Sequence, residues 1–261
     1  MNCPESPSGR ETLLDQVRST ARSVAVSGGQ WPRFLAGMLG DIGATWRESA
    51  EVCADVAWQA RADGHSALLL LDPEQIARPG ADPVTARTYR HVYLGTLRYD
   101  FRCRTIETLL HTLPAQVVDE LDCYSRALGV FALLGQSRTT GYAGMEQVLA
   151  EAGDHAKTLH VLLHGLWLGH GLPGREEHML RLLARPAFAS RSDPIALFRE
   201  AAARRGLGQH RQALESIDRA LDLLPPGDTA VHADLVRERS LITAAHDWQQ
   251  LTSHISDRNP E

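Results

Sequence analysis

The apolar positions of this chain recur every three or four residues, the period of a helix with one buried face. Leu13, Leu14, Val17, Ala21 and Val24 form a first stripe, and Phe34, Leu35, Met38, Leu39 and Ile42 form a second after the breaker Ser27-Gly28-Gly29. Ala50, Cys53, Ala54 and Ala57 share one face of a third segment. The run from Ala67 to Leu71 fits either a short strand or a buried helical turn, and Asp72-Pro73-Glu74 after it has the form of a helix restarting with proline in its first turn. Residues 1–9 lack any apolar period and carry Pro4, Pro7, Ser6, Ser8 and Gly9, the composition of a disordered leader.

Pro79-Gly80 and Asp82-Pro83 make the strongest break, because these dipeptides favour turns and turn the preceding residue away from helix. From residue 84 to about residue 258 the pattern is a succession of helices separated by short Gly, Pro and Asp breaks, with almost no alternating β-branched segment. The expectation is an all-α fold of antiparallel helix pairs. A helical N-terminal region spans 10–80, either a first pair or a separate domain, and a longer array spans 84–258.

The clearest pair joins residues 194–205 to residues 211–224. Ile195, Leu197, Phe198 and Ala201 to Ala203 are placed inward on the first member, and Ala213, Ile217, Ala220, Leu221 and Leu224 form the stripe of the second. The link Gly206-Leu207-Gly208 is so short that the chain must reverse. Gly208, Ala213, Ile217, Ala220 and Pro225 follow the small, large, small, proline order of the second half of a tetratricopeptide repeat, which this segment resembles. In the first half Leu197 and Ala201 take the family's Trp and Gly places, whereas Glu200 and Arg204 depart from its Leu and Tyr. The landmarks Gly95, Gly129, Gly169 and Ala201 are separated by 34, 40 and 32 residues, near the family's period. Gly141, Met145, Val148 and Gly153 repeat the offsets of the best unit, while Met179, Leu183 and Pro186 arrive two residues early and Pro114 cuts the first unit short. A final helix pair from Thr229 to Ser256, carrying Trp248, Leu251 and Ile255, is expected to cap the stack.

Composition narrows the function classes. A net charge of -5 argues against a general nucleic-acid binder, which needs a basic excess to displace counterions. Lys157 is the only lysine and Asn2 and Asn259 the only asparagines, a bias suggesting a GC-rich bacterial genome. Cys3, Cys53, Cys103 and Cys123 never form C-x-x-C, so free thiols in a reducing compartment are expected. With no secretory pattern and no apolar run long enough for a bilayer, the expectation is a cytoplasmic protein that does not enter membranes.

Candidate chemistry is sparse. His155, His160, His164, His170 and His178 crowd together, and His160 and His164 stand one helical turn apart, the spacing that lets two imidazoles share a metal ion. Val161 stands where a metalloprotease helix has Glu, so ordinary packing or surface roles compete with a metal-dependent enzyme. No phosphate loop or nucleophile elbow is present, and no cofactor is expected. Arg199, Arg204, Arg205 and Arg211 form a basic stripe, and Trp167 is a candidate aromatic anchor.

The resemblance implies a protein- or peptide-binding module lined by the first helix of each pair. On that geometry Phe198, Ala202 and Arg205 face the groove and Arg199 its rim, joined by Trp167 and His164, and Arg205 calls for a partner with an acidic group. The family's carboxylate clamp of lysine and asparagine has no counterpart here. A stand-alone sensor of a small ligand or peptide, akin to the helical-repeat regions of transcription regulators, is the second reading. An enzyme using the His155 to His178 cluster is the third, and the oligomeric state is left open.

Overall fold

The computed structural model describes residues 7–26, 31–62, 76 and 82–256. Among them are thirteen α-helices and no strand, so the fold is all-α. Most of the leader, the Ser27-Gly28-Gly29 breaker, the Ala67 to Leu71 run, the Pro73 restart and Pro79-Gly80 lie outside the described residues. Pro7 to Gly9 do not belong to a leader: they open the first helix, where proline at the start forfeits no hydrogen bond. No described helix is long and apolar enough to cross a membrane.

The chain divides into two compact units, and the division falls between Leu162 and Leu163. The first contains α1 (Pro7–Val26), α2 (Trp31–Asp41), α3 (Trp46–Ala62), α4 (Pro83–Tyr99), α5 (Cys103–Thr112), α6 (Ala115–Asp119), α7 (Cys123–Gly135) and α8 (Thr140–Ala152). It also takes the first half of α9 (Ala156–Leu168). Thr45 and Glu48 start α3 with a capping box: the Thr45 amide donates to the Glu48 carboxylate at 2.7 Å and the Glu48 amide to the Thr45 hydroxyl at 3.3 Å.

Asp82-Pro83, placed by the sequence at a domain boundary, instead launches α4. The Asp82 carboxylate accepts from the Thr85 amide at 2.7 Å, and Pro83 supplies a preset first turn. Helix α4 packs on α2 and α3, so Tyr89 and Val92 join Leu14, Val17, Leu35, Leu39, Val52, Cys53 and Val56 in one core. Helices α1, α2 and α3 therefore share a core with α4, because stripes on three amphipathic helices leave one face that α4 covers. Further along, α7 and α8 pack so closely that a Cβ added at Gly141 would lie 2.8 Å from a Leu134 methyl.

The second unit takes the remainder of α9, then α10 (Arg175–Leu183), a single 3-10 turn at Pro186–Phe188, α11 (Pro194–Gly206), α12 (His210–Leu223) and α13 (Thr229–Ser256). Asp193 caps α11 by accepting from the amides of Ile195 and Ala196 at 2.9 and 3.0 Å. Helices α11 and α12 pack together across Leu207-Gly208-Gln209, where Gly208 holds φ at +72°, a left-handed value that costs glycine little. Ala201, Ala213, Ile217 and Ala220 are fully buried in this unit. Helix α10 ends before Pro186, as the early proline requires.

The expected final helix pair is one helix of 28 residues. Its span contains neither glycine nor proline, so nothing in the sequence stops it. Val231, Leu235 and Ile242 are buried, whereas Trp248 and Leu251 near its far end are 70% and 60% exposed.

Candidate functional site

Three of the residues proposed for a groove come together in the second unit. The His164 and Trp167 rings lie 5.9 Å apart on α9, and Trp167 stacks obliquely on Phe198 of α11 at 5.6 Å. His164 and Phe198 are buried and Trp167 half-buried; Ala202 and Arg199, expected at the groove and its rim, are buried as well. The Arg205 guanidinium is engaged inside the protein. Its Nε donates to Glu238 Oε1 at 2.6 Å and its Nη2 to Oε2 at 3.4 Å, tying α11 to α13. Glu200 likewise gathers Arg191 and Arg204, with Nη to carboxylate distances of 3.0 and 2.8 Å. Only Arg211 of the basic stripe points well into solvent, at 4.0 Å from Glu215.

The histidines are dispersed over separate partners. His155 is buried, with Nδ1 2.8 Å from the Thr158 hydroxyl, Nε2 3.6 Å from Glu51 and its ring edge-on to Trp46 at 5.2 Å. That contact lowers the Glu51 carboxyl against the upward pull of burial. Arg175 and Arg181 donate to Nδ1 of His170 and His178, each at 2.7 Å. His160 is half-buried one turn before His164. Among the described residues no three His, Cys, Asp or Glu side chains gather so that they could hold a metal ion.

A buried polar group of the first unit contains none of the candidate residues named from the sequence. His91 of α4 is completely buried, and its Nε2 stands 2.9 Å from both oxygens of Asp122, the N-cap of α7. The same carboxylate accepts from the Ser125 amide at 3.0 Å and its hydroxyl at 3.1 Å. Burial alone would raise the Asp122 carboxyl, but the His91 contact, the Ser125 amide and the charge of Arg90 outweigh it and hold it well below the carboxylate range. Tyr124 stands edge-on to His91 at 4.9 Å, fully buried. Arg87 and Arg90 precede His91 on α4, with Arg90 buried and Arg87 half-buried.

No protein-family model, curated protein or solved structure matches this chain.

The chemistry of the buried group follows from its own atoms. The geometry puts a proton on Nε2 of His91, facing the carboxylate, while Nδ1 is sealed without a hydrogen-bond partner. The adjacent side chains are not activated nucleophiles: burial pushes both the Cys53 thiol and the Tyr124 phenol far above neutrality. The pair caps a helix and fastens α4 to α7. The signal for it was present as Asp122 three residues before Ser125, an N-cap pattern, and as polar residues at 87, 90 and 91 on one helix.

Proposed function

We propose that the chain is a helical binding module for a protein partner, built from tetratricopeptide-like helix pairs and working in a bacterial cytoplasm. The observation that carries this reading is the outer face of α13. Leu241, Ala244, Trp248 and Leu251 follow one another at steps of three, four and three residues, the seam spacing of one helix prepared to pack on another, and all four are exposed. An exposed tryptophan between exposed leucines is the composition of an interaction anchor rather than of a solvated surface. An amphipathic helix of the partner is the occupant that such a stripe fits.

The repeat character draws support from Ala201, Ala213 and Ala220, whose burial matches the close helix approach that small residues permit, and from Gly141, Met145 and Val148, buried at the same offsets in the first unit. Buried free thiols at Cys53, Cys103 and Cys123 accord with a reducing compartment. The acidic-partner reading through Arg205 loses its basis, since Glu238 already occupies that guanidinium.

A photo-crosslinking residue placed at position 248 in the native host should yield one discrete protein adduct, absent when the probe sits at exposed Arg237. Leu251→Glu should abolish the adduct and leave the melting temperature unchanged. Equal labelling from both positions, or an adduct indifferent to Leu251→Glu, would remove α13 as the contact face.

A further inference from the structure

Of the two arginines preceding His91 on α4, Arg90 is buried and Arg87 half-buried. Arg90 is 4% exposed, its Nε is sealed from solvent without an acceptor, and it makes no hydrogen bond and no ion pair with any described residue. One helical turn earlier, Arg87 donates from Nη2 to the Ala44 carbonyl at 2.8 Å, while its Nε is also sealed and unsatisfied. No carboxylate of the described residues lies in ion-pair range of either guanidinium. Arg87 repels Arg90, and the acids that attract Arg90 are Asp122 and Glu120. Asp122 lies outside ion-pair range of Arg90 and instead accepts from His91 and Ser125. Glu120 is exposed.

Two like charges one turn apart on a helix repel, and an unpaired buried guanidinium bears the full loss of its hydration. The protein keeps both on the helix at the centre of its first unit, where either an ion or an acidic group supplied from outside would relieve the strain. We propose that Arg87 and Arg90 form a binding site for a phosphate-like oxyanion, the phosphoryl group of a small ligand. Two guanidiniums match a group with several acceptor oxygens and a charge near minus two better than a single carboxylate, because such a group can accept from the Nη atoms of both, Arg87 keeping Nη1 free of the Ala44 carbonyl. The inference stands apart from the α13 contact face, which lies in the other unit, and either can fail without the other.

The test uses the full chain and inorganic phosphate, with sodium chloride and sodium acetate at matched ionic strength. Melting temperature and the phosphorus NMR line width of the added phosphate are recorded for wild type, Arg90→Met and Arg87→Gln. In wild type, phosphate raises the melting temperature saturably beyond chloride and acetate, and its phosphorus line broadens. General salting effects act alike on all three proteins, so the difference between them is the readout. Arg90→Met loses the phosphate-specific response and melts in chloride no lower than wild type, since the unpaired charge is gone. Arg87→Gln weakens phosphate binding at least tenfold. The proposal is overturned by a wild type that responds to phosphate only as to chloride, by a response that survives in Arg90→Met, or by acetate matching phosphate. It is equally overturned if Arg90→Met melts below wild type or fails to fold, because Arg90 then serves the fold itself.

Discussion

Replacing glycine by alanine should change stability in opposite directions at two helical positions of the first unit. At Gly37, inside α2, an added Cβ meets nothing within 4 Å. Only the propensity term acts, and Gly37→Ala should stabilise by about 0.8–1 kcal/mol. At Gly141, near the start of α8, the same methyl would stand 2.8 Å from Leu134 Cδ2, 2.9 Å from its Cγ and 3.2 Å from its backbone nitrogen. Leu134 is fully buried, so its side chain has no empty space to swing into, and its backbone belongs to α7. Overpacking of this kind costs roughly 1–3 kcal/mol, and a propensity gain of at most about 1 kcal/mol offsets part of it. The net expectation is a loss of about 1–2 kcal/mol for Gly141→Ala, which lowers the melting temperature by roughly 2–8 °C in a domain of this size. Circular dichroism melts of the two variants beside wild type measure the difference directly. If Gly141→Ala were as stable as Gly37→Ala, the close contact between α7 and α8 would be wrong.

Three further outcomes follow from the ion pairs and caps. Arg205→Ala should destabilise by roughly 1–3 kcal/mol, since it leaves the Glu238 carboxylate, 8% exposed, without its partner; pairing it with Glu238→Leu should recover most of the loss in a denaturation series. Asp122→Ala removes both the cap of α7 and the acceptor for His91, and should cost about 3–5 kcal/mol, with Asp122→Asn milder because an amide oxygen still caps. The Arg10 guanidinium, 2.7 Å from Glu48, holds that carboxyl down to about 2 from 4.5, with Thr45 assisting against burial. A carboxyl lowered by folding stabilises fully above its unfolded value, so this contribution is complete above about pH 4.5 and fades as pH falls toward 2. Solvent screening at a partly exposed pair limits it to about 1 kcal/mol, and in acid titrations Arg10→Gln should flatten the stability curve across that window.

Local chemistry determined the class of fold and most of its punctuation. Stripes at helical spacing, Asp193-Pro194 at a helix start, Gly208 in a tight reversal and Pro186 after a shortened helix act within a few residues, so one sequence carries them. The buried alanines at 201, 213 and 220 were equally visible, because small residues at fixed offsets define a close-packed face. The unbroken α13 could have been read as well, from the lack of glycine and proline between Thr229 and Ser256, had the repeat pattern not suggested a pair. What an amphipathic stripe never states is which surface covers it. Tertiary packing alone decided that α1, α2 and α3 share a core with α4, that Glu238 captures Arg205 across 33 positions, and that His91 meets Asp122 across 31. It also left half-buried Arg87 and buried Arg90 with no carboxylate of the described residues in ion-pair range, although their spacing resembles any solvated helix face. Burial and charge pairing depend on elements far apart in the chain, and their energies arise only once those elements meet.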